Sequence, residues 1–271
     1  MQEKIKKKSI IAVINQKGGV GKTTTVINLA SSLSIMGQNN LIIDLDPQGN
    51  ATTGLGKSNN DEEKNIYNIL IQKIKVRDAL QRTDVNNLDL IGSNVNLSGL
   101  EVETANDANR AFVLKQILDE ERNNLLSKYD NIFIDCPPSL SLLTIMALVA
   151  SDELLVPLQT EFFALEGITQ LVKTIDRIKI NLNPNLNVKG ILLTMFDKRN
   201  KLSSQVDKEA RNYFKEKVYK TVIPRNVRLS EAPSHGLPCV IYDKSCVGSK
   251  SYFKLAEEFL SKGKEKVESA A

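Results

Sequence analysis

The feature that most constrains this chain is Lys17-Gly18-Gly19-Val20-Gly21-Lys22-Thr23-Thr24, set between an apolar run and an amphipathic segment. The run, Ser9 to Asn15 (SIIAVIN), is β-branched and almost continuously apolar, as suits a strand covered on both faces. The segment, Thr24 to Met36, spaces Val26, Leu29, Ala30 and Leu33 as one face of a helix that Gly37 ends. Glycines in such a strand-to-helix turn let the backbone curl until successive N–H groups point inward. The helix N-terminus adds partial positive charge, and together they make a cradle for phosphate oxygens. Lys22 is expected to reach the β and γ phosphates of a nucleotide, and the Thr23 hydroxyl to meet Mg2+. The general spacing is GxxxxGK[ST]; here Gln16 stands where the first glycine would be, and Lys17 follows it. Lys17 sits at the mouth of the loop, where its flexible stem could cross a subunit boundary to a phosphate.

Beyond the loop, apolar runs alternate with helical patterns. Strands are expected at Asn40 to Leu45, Leu88 to Ile91, Asn131 to Cys136, Leu154 to Leu158 and Val188 to Phe196. Helices are expected at Arg110 to Leu126, Leu140 to Ala150, Gly167 to Ile180, Ser203 to Lys217 and Ser249 to Leu260. Thr52 to Glu63 and Asn94 to Asn109 are polar and read as loops or short helices. Strands alternating with helices predict an α/β fold: a single-domain, doubly wound, mostly parallel sheet flanked by helices. Its expected extent is residues 9–260, between a short basic tail (1–8) and a polar tail (261–271).

Hydrophobic residues make up 41% of the chain and charged residues 25%, which supports a folded core and excludes a mainly disordered chain. No uninterrupted apolar stretch approaches the ~18–20 residues of a membrane span, and the basic N-terminus lacks the pattern of a secretory signal. Cys136, Cys239 and Cys246 share no CxxC spacing and accompany a single histidine, His235. A disulfide framework or structural zinc is therefore not expected, and a cytoplasmic location is the default. Cys136 reads as a small buried filler and His235 as a loop residue, not a catalytic base. The net charge of +4 is uneven: from Lys189 onward 17 Lys+Arg face 10 Asp+Glu, against 19 and 22 before it. A basic C-terminal third suggests a surface that faces a polyanion.

Three acids end strands. Asp44 and Asp46 close the second in DLDPQGN, and Asp135 closes the apolar IFID. Acids just past the C-terminal edge of a parallel sheet lie where its ligands bind. Asp46 is the candidate for orienting an attacking water. Asp44, placed by this reading on the opposite strand face, would hold metal-bound water or the loop. Asp135 matches the arrangement in which a carboxylate holds Mg2+ through water. Asp135-Cys136-Pro137-Pro138-Ser139 would form a second loop near the γ-phosphate.

KGGVGKTT resembles the deviant Walker A motif of P-loop ATPases. With DLDPQGNATTGLG, IDCPPSL, QTEFFALEG, LLTMFD and TVIPRNVRLSEAPSHGLP, the chain resembles the ParA/Soj family of partitioning ATPases over about residues 9 to 260. The resemblance is to the small chromosomal type, without the N-terminal DNA-binding extension of larger plasmid members. It implies an ATP-bound homodimer that binds double-stranded DNA nonspecifically, with hydrolysis stimulated by a ParB/Spo0J-like partner and a nucleoid-associated place in the cytoplasm. Lys17 is then similar to the lysine that crosses to the partner's nucleotide, Lys22 and Thr23 to the phosphate and Mg2+ residues, Asp46 to the hydrolytic aspartate and Asp135 to the Walker B acid. Gly18, Gly19, Val20, Gly21 and Thr24 complete the loop, and Pro224 and Asn226 match the adenine-contacting segment, to which Met195 and Phe196 could add. Family DNA binding maps onto Arg199 and Arg228, with Lys198, Lys201, Lys244 and Lys250 as possible extensions. A membrane-cycling ATPase of the MinD type shares the nucleotide site but needs an amphipathic C-terminal helix. Ser261 to Ala271 offers only Val267 as an aliphatic residue larger than alanine, so no stable membrane association is expected. Iron–sulfur reductases on the same scaffold need bridging cysteines that this spacing does not supply.

Overall fold

Among the described residues, the extended segments are β1 (Ser9–Val13), β2 (Asn40–Asp44), β3 (Leu80–Arg82), β4 (Leu88–Ile91), β5 (Asn131–Asp135), β6 (Glu153–Gln159) and β7 (Asn187–Thr194). They form one seven-stranded sheet in the order β3-β4-β2-β5-β1-β6-β7. Every pairing is parallel except that of the edge strand β3 with β4. The computed structural model describes residues 9–161 and 164–268; the tail 1–8 and two residues of the QTEFFALEG motif lie outside them.

Side-chain alternation divides each central strand between two cores. Ile10, Ala12 and Ile14 face one layer, built on the helices Val113–Glu121, Leu142–Ala150 and Ala164–Asn181. Ile11 and Val13 face the other, where α1 (Lys22–Ile35) lies beside the helix Val247–Glu268 and contributes Leu29 and Leu33 against Tyr252 and Phe259. Two covered faces explain why β1 is apolar at every core position. No described helix is long and apolar enough to cross a membrane.

Register positions the chemistry. Asp135 pairs with Val13 on one side and with Asp44 on the other. The ends of β1, β2 and β5 therefore lie in one row at the C-terminal edge of the sheet, where open α/β sheets receive ligands.

Several elements differ from the sequence reading. The first helix begins at Lys22, two residues early, which puts Lys22 and Thr23 in its first turn. The helix expected over Arg110 to Leu126 is a 3-10 turn (Arg110–Phe112), a helix (Val113–Glu121) and another 3-10 turn (Leu125–Lys128). Asn123 and Asn124 interrupt it, because asparagine side chains compete for backbone hydrogen bonds. The last helix runs Val247–Glu268, through most of the stretch expected as a tail, since Lys and Glu are good helix formers; residues 269–271 are not described. β3 and the helices Ile66–Leu70 and Val76–Ala79 are too short to leave a periodic signal.

Candidate functional site

The turn after β1 follows its glycines. Gly19 (φ 74°) and Gly21 (φ 89°) occupy the left-handed region, and Gly21 caps α1. Asn15 braces the entry: its Oδ1 accepts the Lys17 N–H at 3.0 Å while its Nδ2 donates to the Pro157 carbonyl at 2.7 Å. Lys22 folds back under the loop and donates Nζ to the Lys17 carbonyl at 2.9 Å. At the far side the Thr194 hydroxyl, at the end of β7, donates to the Val20 carbonyl at 2.8 Å. Pro138 stands 3.8 Å from where a Gly18 Cβ would lie, so the Asp135–Ser139 loop borders the cradle as expected.

Lys22 is buried, and burial holds its ammonium below the usual lysine value against Asp135, Cys136 and Asp46. Asp44, Asp46 and Asp135 are buried with it. The expectation of opposite strand faces for Asp44 and Asp46 is corrected: residues two apart in a strand share a face, and β2 already ends at Asp44. Their different roles come from the turn. Asp44 Oδ2 accepts both the Thr52 N–H (2.8 Å) and hydroxyl (2.7 Å), and its Oδ1 accepts the Asp46 N–H at 3.2 Å. Asp44 is thus engaged in holding the loop, the second of its two expected roles. Burial pushes its carboxyl up to about 6, against the pull of the Thr52 bonds. Asp46 uses Oδ1 to accept the Gln48 N–H at 3.0 Å.

Asp135 is different. Both its carboxylate oxygens are buried with no hydrogen-bond partner. Burial, then Asp44, pushes its carboxyl well above the ordinary range; the Thr23 hydroxyl, which lies close by without hydrogen-bond geometry, and Lys22 oppose this. An orphaned carboxylate beside a half-buried threonine in the first turn of α1 fits an Mg2+ ion. No group of three or more His, Cys, Asp or Glu able to hold a metal occurs among the described residues. Mg2+ requires no such group, since one or two protein groups share the ion with phosphates and waters.

Lys17 is half-exposed at the loop mouth and forms an ion pair with Glu161 of its own chain. Pro224 and Asn226 lie beside the end of β7. Phe196 bridges to Pro224, its N–H donates to the Ile223 carbonyl at 3.0 Å, and Arg225 N–H donates to the Phe196 carbonyl at 3.2 Å. Asn226 caps the helix Val227–Glu231 by accepting the Arg228 N–H, so its side chain has a local task. Met195 takes a positive φ of 51° at this junction. Arg199 and Arg228 are separate from the cradle, on the surface of the basic third. Arg199 pairs with Asp197 at 2.9 Å, and Arg228 with Glu231 at 2.7 Å and Asp243 at 3.5 Å. His235 ends a 3-10 turn and stacks on Tyr242. Cys239 opens a short helix and Cys246 immediately precedes the last one.

Sequence reasoning missed four residues that build this site: Asn15, Thr52, Glu161 and Thr194. Thr52 and Thr194 carry only a faint signal, as hydroxyls inside the DLDPQGNATTGLG and LLTMFD stretches. Glu161 has the same faint signal, inside QTEFFALEG, but its meeting with Lys17 comes from tertiary folding.

A family model described as an AAA domain matches residues 8–188. The sporulation initiation inhibitor protein Soj of Bacillus subtilis is 50% identical over 94% of this chain and 99% of its own. The chromosome partitioning protein ParA of Caulobacter vibrioides is 48% identical over 97% of each. Among solved structures, cobyrinic acid a,c-diamide synthase from Mycobacterium smegmatis with bound ADP and magnesium superposes with a TM-score of 0.80 at 32% identity, covering 93% of each chain. With relatives close to half identical along nearly their whole length, the chain belongs to the ParA/Soj family of chromosome-partitioning ATPases.

Proposed function

We propose that this protein is an ATP-driven partitioning switch: ATP closes two copies face to face, the closed dimer binds DNA without reading sequence, and hydrolysis reopens it. The observation that carries this reading is the cradle of Gly18–Gly21 with buried Lys22 beneath it and the unpartnered Asp135 beside Thr23. Backbone N–H groups of Gly18, Gly19, Val20 and Gly21 and the start of α1, with Thr24, hold the phosphate oxygens, and Lys22 neutralises the β and γ phosphates. Thr23 and, through water, Asp135 would hold Mg2+, which when bound would supply positive charge against the phosphate oxygens. Asp46 orients a water for attack on the γ-phosphorus; the bond to the β–γ bridging oxygen breaks and ADP leaves with it. Lys17 exchanges Glu161 for the phosphate of the partner's nucleotide, which ties dimerisation to the triphosphate. Pro224 and Asn226 border the adenine.

Arg199 and Arg228 contact DNA phosphates. Both are held by exposed ion pairs, which water and salt screen and which exchange readily for another anion. A ParB-like partner that stimulates hydrolysis and a nucleoid-bound ATP form complete this reading, which the kinship with chromosome-partitioning proteins supports. Sedimentation of the Asp46→Ala protein with Mg·ATP, with Mg·ADP and without nucleotide tests the proposal. A doubled mass with Mg·ATP alone is expected; a single-chain mass in all three conditions refutes the switch.

A further inference from the structure

Cys239 and Cys246 are seven positions apart, yet their Sγ atoms stand 3.6 Å from each other. The surrounding turn is held by its own bonds. Asp243 Oδ1 accepts from the Ser245 N–H and hydroxyl and from the Cys246 N–H. Ser249 donates its hydroxyl to the Cys239 carbonyl at 2.9 Å and its N–H to Cys246 Sγ at 3.3 Å. The thiols thus meet because the fold brings the start of the last helix against the helix Cys239–Tyr242. A disulfide needs sulfurs about 2.05 Å apart, so bonding asks for a closing movement of about 1.5 Å. Cys239 is buried and Cys246 half-buried, so an external reagent reaches one of the two first.

We propose that Cys239 and Cys246 form a reversible dithiol–disulfide site, oxidised by a low-molecular-weight disulfide and reset by a thiol reductant. Cys246 loses its proton and its sulfur attacks the incoming disulfide. That sulfur–sulfur bond breaks, a mixed disulfide forms on Cys246, and one small thiol leaves carrying a proton. Cys239 then gives up its proton, its sulfur attacks Cys246 Sγ, and the second small thiol departs. Two electrons pass from the protein to the reagent, which is reduced to two thiols while the protein gains one bond. Burial pushes the Cys239 thiol up to about 12, which argues against its making the first attack; what equips it for the resolving step is its place 3.6 Å from Cys246 Sγ. The closed ring contains Asp243, the second and more distant of the two acids paired with Arg228, at 3.5 Å against 2.7 Å for Glu231. Oxidation therefore constrains one of the two acids that compete with DNA for Arg228; this consequence, unlike the bond, rests on the DNA-binding reading above.

Full-length protein exposed to oxidised glutathione and then denatured for thiol titration tests the site. The count should fall from three thiols to one and return to three with dithiothreitol, Cys136 remaining as the internal control. Cys239→Ser should stop at a glutathione adduct on Cys246, and Cys246→Ser should lose no thiol. An unchanged count, or a parent protein that stops at the adduct, overturns the proposal. In the same samples, oxidised and reduced protein should differ several-fold in DNA affinity at fixed salt. Equal affinities overturn the Arg228 consequence, whereas reduced protein that binds no DNA counts against the partitioning function instead.

Discussion

Lys22 is a buried cation with Asp135 and Asp46 near it, and on the proposed reading it meets a triphosphate from beneath the loop. Lys22→Ala should abolish ATP binding, read by titration with a fluorescent ATP analogue; retained affinity would disprove the cradle assignment. Asp46→Ala should bind ATP like the parent but release phosphate at least ~100-fold more slowly, the usual scale for losing a positioned general base. Asp44 gives a pH signature. Its folded carboxyl lies at about 6, above its usual 3.8, so the stability it contributes is complete below about pH 4 and lost as pH rises through 6. Melting temperatures of the nucleotide-free protein across that range should fall, and fall less steeply in Asp44→Asn. Lys22, Thr23, Asp46 and Asp135 were legible in the sequence because local spacing puts them at strand-to-helix junctions. Glu161 and Thr194 were not, because each reaches the loop from a distant strand end, and no local pattern encodes such a meeting. The misassigned faces of Asp44 and Asp46 show the same limit: the turn, not strand alternation, separates their jobs.

Between elements, backbone crowding decides what can change. Gly236, which ends the turn Ala232–His235 at φ 65°, faces Gly56 of the segment after Asn50–Gly54, and a Cβ on Gly236 would stand 2.7 Å from the Gly56 Cα. That approach locks the PSHG turn against the ATTGLG segment. Gly236→Ala should cost ~1–3 kcal/mol in denaturant unfolding, from left-handed strain and the clash together. Gly167, in the helix Ala164–Asn181, meets nothing within 4 Å, and Gly167→Ala should instead add up to ~1 kcal/mol. Opposite signs for the two substitutions are the check. At this scale the long periodic helices and buried strands were readable within a few residues. The breaks were not, since Asn123-Asn124 ends a helix whose apolar spacing continues past it.

Across the whole molecule, strand alternation with helices announced a parallel sheet, but its order was hidden, because neighbours such as β1 and β5 meet only through long crossovers. The charge asymmetry was visible in the sequence, and Arg199 and Arg228 of that basic third are exposed, each paired with an acid. Arg228→Glu should keep ATP-driven dimerisation and lose DNA binding. The milder Arg228→Ala should flatten the plot of log affinity against log salt by roughly one unit for each phosphate it no longer neutralises, in a DNA mobility assay. Thr194 gives this separation a mechanical meaning. Its hydroxyl clasps the glycine loop, while the chain it terminates continues within five positions to Arg199 and at Phe196 is stitched to the strip holding Pro224. On the proposed reading, the phosphate seat, the base wall and the DNA contact share one short run of chain from Thr194 to Arg199, so a shift of that run moves all three together.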